Sequence, residues 1–215
     1  MEELDVRRAL VAAGARLGAR GLISAAEGNL SVRLPDGRLL VTPAGRRKDE
    51  LEPDDLLVVP LEPSEDDDMT FASGLRPSSD IAIHRAVLRA RRDVGAVVHA
   101  HLPVSMALTL AGERPDPAVL PETALLLPEL PLVPYGEMGS QELAERIAAA
   151  IAREPAPGAA LLERHGAVAV GDAGRGPAGA LTQAVDRLEL VEVLCRTWRD
   201  ALLVRAAQAT RGSGR

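Results

Sequence analysis

Hydrophobic positions along this chain switch between a helical period and a strand period. Residues 4–20 place Leu10, Val11 and Leu17 at helical spacing among many alanines, and Gly21 follows as a natural helix stop. The same pattern predicts helices over 140–153 and from 177 to about 207. Ser78 or Ser79 is a suitable N-cap for a helix that runs to about residue 91, and Pro103 begins a shorter helix.

Short apolar runs between these helices predict strands. A Pro-Asp-Gly turn at 35–37 joins two of them, which is typical of a hairpin. The predicted strands cover 29–34, 38–42, 56–61, 94–100, 132–134, 159–162 and 167–170. Because helices alternate with hairpins, we expect an α/β layer structure with a largely antiparallel or mixed sheet. Residues 210–215 are expected to be a disordered tail.

The composition narrows the classes of partner. Of 215 residues only three are aromatic, so the core must consist of aliphatic side chains, and stacking on nucleic-acid bases is nearly excluded. The formal charge of −6 also disfavours a polyanionic partner such as DNA. These observations favour a small-molecule ligand and argue against a nucleic-acid partner.

Cysteine usage and the N-terminus indicate a compartment. Cys195 is the only cysteine, which rules out an internal disulfide and suits a reducing environment. The first residues are acidic where a signal peptide would be basic, and no apolar run approaches the ~18 residues of a membrane span. We therefore expect a cytoplasmic protein without a membrane partner.

Three of the four histidines occupy positions suited to metal binding. His99 and His101 close a predicted strand, and side chains two residues apart in a strand point to the same face. Taken alone, the His99–His101 pair is equally consistent with exposed strand-end histidines. A lone histidine such as His165, before Gly166 in a predicted hairpin, is more often a turn residue than a ligand. Together they match a catalytic zinc site, which uses three protein ligands and keeps one position open. A structural zinc site would need a fourth ligand, and Cys195 lies in the middle of a predicted helix.

Three further segments offer small residues, hydroxyls and free backbone N–H groups of the kind that bind phosphate. They are Glu27-Gly28-Asn29-Leu30-Ser31, Thr42-Pro43-Ala44-Gly45 and Pro77-Ser78-Ser79-Asp80. The last one begins a predicted helix, and a helix N-terminus attracts anions. Each segment on its own is explained more readily as an ordinary turn or helix cap.

Asp80 lies in the predicted first helical turn, where the helix dipole stabilises a carboxylate. That stabilisation is one explanation of the residue; a general base or an additional metal ligand is the other. His84 follows four residues later on the same helix face, where it either orients Asp80 or packs in the core.

These motifs in this order resemble the class II aldolase/adducin-head family over about residues 4–205. The motifs that carry the resemblance are Gly28-Asn29-Leu30-Ser31, Thr42-Pro43-Ala44-Gly45, Pro77-Ser78-Ser79-Asp80, His99-Ala100-His101 and His165-Gly166. The resemblance implies a three-layer α/β/α sandwich with a central, mostly antiparallel sheet, formed by residues 1–209 as a single domain. It also implies a homotetramer with sites at subunit interfaces.

The resemblance implies roles for individual residues. One zinc ion per chain would be bound by His99, His101 and His165, and Asp80 would be the acid/base carboxylate. The implied phosphate-binding residues are Gly28, Asn29, Ser31, Thr42, Gly45, Ser78 and Ser79.

Two positions depart from the aldolases of the family. Those aldolases typically carry Glu where this chain has Asp80, which instead resembles the 4-epimerases. They also use a tyrosine as proton donor, whereas the only tyrosine here, Tyr135, lies in a structural-looking segment. Glu122 is an alternative for this second proton transfer.

The activity implied by the resemblance is that of a zinc-dependent lyase. It would cleave a ketose phosphate by a retro-aldol reaction to dihydroxyacetone phosphate and an aldehyde, as fuculose-phosphate aldolase does. The alternatives are a ribulose-5-phosphate 4-epimerase-like isomerase, a sugar-phosphate dehydratase and an adducin-like binding module. Retention of all three histidines argues against the binding module.

Overall fold

The chain folds around one central sheet in the computed structural model, which describes residues 2–62, 71 and 74–212. The strands are β1 (Asn29–Arg33), β2 (Leu39–Val41), β3 (Leu57–Val59), β4 (Val94–Ala100), β5 (Leu132–Val133), β6 (Ala159–Leu162) and β7 (Gly166–Asp172). Their order across the sheet is β3-β2-β1-β4-β7-β6-β5. Every neighbouring pair is antiparallel except β5 and β6, which confirms the predicted mostly antiparallel sheet.

Helices cover both faces of this sheet. They are α1 (Glu3–Ala19), α2 (Ile81–Ala90), α3 (Pro103–Leu110), α4 (Pro121–Leu126), α5 (Gln141–Ala152) and α6 (Gly176–Gly212). The alternation of side chains along β4 separates two cores. Ala96 and Val98 pack with α1, α3 and α6, whereas Val97 packs with α2 and α5. The result is the predicted three-layer α/β/α sandwich. Among the described helices, none combines the length and the apolar character that a membrane span requires.

The structure differs from the sequence prediction at the C-terminus. Helix α6 continues to Gly212, so residues 210–212 are helical where a disordered tail was expected. Residues 201–211 are rich in alanine, leucine and arginine and contain neither glycine nor proline, so their helix propensity sustains the last turns. Residues 213–215 lie outside the described part of the chain.

Candidate active site

The end of β4 and the turn between β6 and β7 bring three imidazoles together. Strand pairing sets Ala100 opposite Ala167, which places the turn that carries His165 beside the end of β4. The ring centroids of His99, His101 and His165 are 4.7 to 4.9 Å apart. Their candidate ligand atoms all lie within 4.8 Å of one another, close enough to share one metal ion.

Gly166 makes this close approach feasible. Its φ of 117° lies in a region that side-chain-bearing residues rarely adopt. A Cβ atom at this position would lie 2.2 Å from the carbonyl oxygen of Ala100 and 2.8 Å from the Cα of His101. Only glycine therefore lets the turn approach the end of β4 and hold His165 next to His101.

The protonation pattern of the histidines fits a metal ion. The Nδ1–H of His99 donates to the carbonyl oxygen of Ala167 at 3.0 Å, which directs Nε2 into the site. The Nε2 atoms of His99 and His165 are buried without a hydrogen-bond partner in the described part of the chain. Burial lowers the pKa of both rings, and neighbouring histidines lower it further, so both are neutral at neutral pH. Neutral imidazole is the form that binds transition metals such as zinc.

Asp80 lies beside the histidines rather than inside a helix. Helix α2 begins at Ile81, so Asp80 is the N-cap residue, and the predicted start at Ser78 or Ser79 was wrong. Its side chain caps no backbone N–H group, and its Oδ2 lies 4.0 Å from Nε2 of His99. Its Oδ1 is buried and has no hydrogen-bond partner among the described residues. The carboxylate is therefore aimed at the histidines and not at the helix dipole.

Buried polar side chains lie behind Asp80. The Nδ2 of Asn29 donates to Oδ2 of Asp80 at 3.0 Å and to Oγ of Ser78 at 3.2 Å. The other end of the Asn29 amide contacts Nε2 of His84 at 2.5 Å, and Nδ1 of His84 lies 2.6 Å from Oγ of Ser31. Burial lowers the pKa of His84 to about 4, so this ring also stays neutral.

A cavity of about 290 Å³ opens next to Asp80 and His101. It is lined by Ala26, Glu27, Gly28, Asn29, Ala44, Gly45, Lys48, Ser78, Ser79, Asp80, His101 and Met138. The structure thus brings five of the seven predicted phosphate-binding residues to one cavity. Ser31 and Thr42 do not line it, because Ser31 contacts His84 and the hydroxyl of Thr42 accepts from the backbone N–H of Leu30.

Lys48 lines the same cavity and was missed by the sequence analysis. Only 1% of it is exposed, and its Nζ donates to the carbonyl oxygens of Ala26 at 2.6 Å and Arg46 at 2.8 Å. No carboxylate of the described residues pairs with it, and burial lowers its pKa to about 8. The signal that could have found it is compositional: it is the only lysine in the sequence, and every other basic residue is an arginine.

Tyr135 and Glu122, the two candidates for a second proton-transfer group, lie away from the cavity next to Asp80 in this chain. Tyr135 is 55% exposed, and the Arg164 guanidinium lies 4.3 Å from its ring centroid. Glu122 lies on the exposed first turn of α4. Among the residues that the structure describes, neither lines the cavity next to Asp80.

The fold and site define a protein whose three clustered histidines can hold one divalent metal next to a cavity. The chain belongs to the family of class II aldolase and adducin N-terminal domains, whose sequence model matches residues 8–199. Class II aldolases are typically dependent on a divalent metal, and the three histidines are positioned to bind one.

Similar proteins act on small phosphorylated compounds. The chain is 34% identical over 197 residues to a 5-methylthioribulose-1-phosphate/5-deoxyribulose-1-phosphate aldolase of Rhodospirillum rubrum, covering 91% of this chain and 81% of that protein. It is 32% identical over 200 residues to a 3-oxo-tetronate 4-phosphate decarboxylase of Cupriavidus necator, covering 91% and 84%. The structure of L-fuculose-1-phosphate aldolase from Thermus thermophilus superposes with a TM-score of 0.79 at 34% identity, covering 94% and 97%. These relatives are enzymes, and their names are consistent with a lyase-type activity for this chain.

Proposed function

We propose that this chain is a zinc-dependent lyase that cleaves a ketose phosphate by a retro-aldol reaction to dihydroxyacetone phosphate and an aldehyde. The observation that carries the proposal is the convergence of three imidazoles and the unpartnered Oδ1 of Asp80 beside one cavity. The Rhodospirillum and Thermus relatives, both aldolases for 1-phosphate substrates, support the choice of reaction.

The histidines and Asp80 have different roles in the proposed reaction. When bound, the metal ion would act as a Lewis acid that polarises the substrate carbonyl. As the carbon–carbon bond breaks, the hydroxyl on the carbon that becomes the aldehyde loses its proton, and the electron pair of the bond stays on the carbon next to the carbonyl, which must then receive a proton. Asp80 is the proton-transfer group: its ionised carboxylate takes up the proton released by the hydroxyl and delivers it to this carbon through the free Oδ1.

The cavity next to Asp80 binds the phosphate in this proposal. The hydroxyls of Ser78 and Ser79 and the backbone at Gly45 supply hydrogen-bond donors, and Lys48 supplies a positive charge. A phosphate bound there would orient the reactive end of the sugar toward the histidines. The binding energy of the phosphate would thus hold the substrate in the geometry that the reaction needs.

We also propose that the chain forms a homotetramer, as the resemblance implied. Large apolar side chains on α3 and α4 are exposed in the single chain, with Leu110 at 71% and Leu125 at 78%. A partner chain would also be a source for the second proton-transfer group, which Tyr135 and Glu122 do not supply to the cavity of their own chain. Light scattering at micromolar concentration that returned a monomer mass would refute this assembly.

A decarboxylase is the second candidate. The Cupriavidus relative is named for removal of carbon dioxide from a 3-oxo acid phosphate. That reaction also breaks a carbon–carbon bond next to a polarised carbonyl and also ends with a proton delivered to carbon. The two candidates differ in the fragment that leaves, which is an aldehyde in one case and carbon dioxide in the other.

Product analysis tests the proposal. The zinc-loaded protein is incubated with L-fuculose 1-phosphate, 5-deoxyribulose 1-phosphate, methylthioribulose 1-phosphate, ribulose 5-phosphate and 3-oxo-tetronate 4-phosphate, and products are identified by NMR. The proposal expects dihydroxyacetone phosphate from at least one 1-phosphate. Carbon dioxide release alone would favour the decarboxylase, an epimer alone an isomerase, and loss of water alone a dehydratase. No turnover of any of them would overturn the lyase assignment. The His99→Ala variant is the matched control.

A further inference from the structure

A line of buried side chains connects the interior of the protein to the carboxylate of Asp80. Asn29 and Ser31 lie two residues apart on β1, so both side chains point from the sheet toward α2. Asp80 and His84 lie four residues apart at the start of α2 and share one helix face. Ser31, His84, Asn29 and Asp80 are all at most 5% exposed.

The directions of the hydrogen bonds in this line follow from the carboxylate. An ionised Asp80 can only accept, so Asn29 must present its Nδ2 to it. The Oδ1 of Asn29 then faces His84 and can only accept, so the Nε2–H of His84 donates to it. The Nδ1 of a neutral His84 ring is consequently an acceptor, and the hydroxyl of Ser31 donates to it.

In this arrangement both amide hydrogens and the oxygen of the Asn29 side chain have hydrogen-bond partners within the protein. One Nδ2 hydrogen points to Asp80 and the other to Oγ of Ser78, while Oδ1 accepts from His84. Although Asn29 lines the cavity, its side chain has no amide hydrogen left for a substrate phosphate in this arrangement. Its contacts point instead to the orientation of the carboxylate.

We propose that Ser31, His84 and Asn29 form a positioning relay that holds Oδ2 of Asp80 and leaves Oδ1 free for proton transfer to the substrate. This inference rests on the proposed function of Asp80. In the relay, the Nε2–H of His84 fixes which way the Asn29 amide faces, and the hydroxyl of Ser31 donates to Nδ1 of His84 and holds the ring in place. Without the Nε2–H donor, the Asn29 amide can rotate, its oxygen can face Asp80, and the carboxylate loses the contact that aims it.

The tautomer of His84 is a readout that needs no substrate. Metal-free protein labelled with nitrogen-15 gives side-chain correlations from only four histidines, and the His84→Gln variant identifies the signal of His84. The relay requires the Nε2–H tautomer at His84, whereas His99, which donates from Nδ1 to a carbonyl, must show the opposite one. In Ser31→Ala the Nε2–H tautomer should persist, because the oxygen of Asn29 still requires a donor, and only the Nδ1 signal of His84 should shift as it loses its hydrogen bond. An Nδ1–H tautomer at His84 in the wild type would overturn the relay.

The kcat values of two His84 variants distinguish a positioning role of His84 from a purely structural one. In His84→Gln the amide N–H of glutamine can still donate to Asn29, whereas His84→Met fills the space without a donor. Side chains that orient a reactive residue through a hydrogen bond, without touching the substrate, typically contribute about 10- to 100-fold to activity. We expect His84→Met to lower kcat in that range and His84→Gln to restore most of it, with zinc content, KM and inhibition by inorganic phosphate unchanged in both.

The outcomes distinguish this inference from the proposed function. If the wild type cleaves a sugar phosphate and His84→Met retains its kcat while zinc content and thermal unfolding match the wild type, the relay is wrong and the lyase assignment stands. Equal losses in His84→Met and His84→Gln would also contradict it, because a purely structural histidine would not be rescued by a donor. If the wild type turns over no substrate, the lyase assignment fails and the tautomer measurement still decides the relay.

Discussion

At the scale of single residues, three buried atoms in the site have no hydrogen-bond partner in the described part of the chain: Nε2 of His99, Nε2 of His165 and Oδ1 of Asp80. Burying a polar atom without a partner costs free energy, typically about 1–3 kcal/mol. Such atoms gathered at one point are best explained by groups that bind there in the working protein. In the proposed function, a metal ion would satisfy the two nitrogens and a substrate proton would satisfy the oxygen.

The Asp80→Asn substitution tests the proton-transfer role. The carboxamide has nearly the same shape and can still accept from Asn29 through its oxygen, so the fold and zinc binding should survive. Because the amide cannot act as a base, kcat should fall by about 100- to 10,000-fold. Steady-state kinetics on the zinc-loaded variant measure this. Wild-type kinetics in Asp80→Asn would mean that the proton moves through another group.

Lys48 is expected to strengthen anion binding. Substituting Lys48→Met keeps most of the length of the side chain but removes the buried charge, and charged hydrogen-bonding groups contribute about 1.5–3 kcal/mol. Affinity for inorganic phosphate should therefore fall about 10-fold or more. Isothermal titration calorimetry of both proteins measures the change, with Arg205→Met, at an exposed position of α6, as the control. An unchanged affinity in a folded Lys48→Met protein would assign Lys48 a structural role only.

At the scale of elements, the turn between β6 and β7 sets the position of His165. In Gly166→Ala the new Cβ would meet the backbone of Ala100 and the φ of 117° would be strained. Strain of this kind costs about 1–3 kcal/mol, equivalent to a fall in Tm of about 2 to 12 °C in a chain of this size. Zinc affinity should fall with it, because His165 moves away from His101.

Gly174→Ala is the matched control for this turn. A Cβ at Gly174 meets nothing within 4 Å, and the residue lies outside the turn that carries His165. Thermal unfolding and zinc titration of the two variants side by side isolate the effect of the close approach. If both variants kept wild-type Tm and zinc affinity, the turn would not be what holds His165 in place.

The sequence predicted most elements because their patterns are local. The Pro-Asp-Gly turn between two short apolar runs identifies the hairpin of β1 and β2 without any tertiary information. The start of α2 was misplaced because Ser78, Ser79 and Asp80 are all common N-cap residues, and nothing in the local sequence selects among them. Lys48 was missed for a similar reason, since its burial depends on two loops that are distant in sequence.

At the scale of the whole molecule, the buried neutral histidines should make stability depend on pH. His84 has a folded-state pKa of about 4, below its ordinary value of 6.5, so the unfolded chain binds more protons between these values. Stability should therefore be lost as the pH falls through this window, and His84 alone accounts for about 2 kcal/mol between about pH 7 and pH 4.5. His84→Gln should lose correspondingly less on acidification.

Urea unfolding of metal-free protein at the two pH values measures this difference. His99 and His165, whose pKa values are lowered in the same direction, are present in both proteins and cancel in the comparison. The same loss of stability in wild type and His84→Gln would show that His84 is not a buried neutral ring.

The proposed cleavage of sugar phosphates depends on one metal ion held by the histidines. It is tested by the rate of dihydroxyacetone phosphate release from the 1-phosphate substrate as zinc is added back to chelator-treated protein. The rate should rise from near zero and saturate at one zinc ion per chain, and no such rise should occur in His99→Ala. A cleavage rate that was independent of zinc, or equal in His99→Ala and wild type, would rule out this role of the metal.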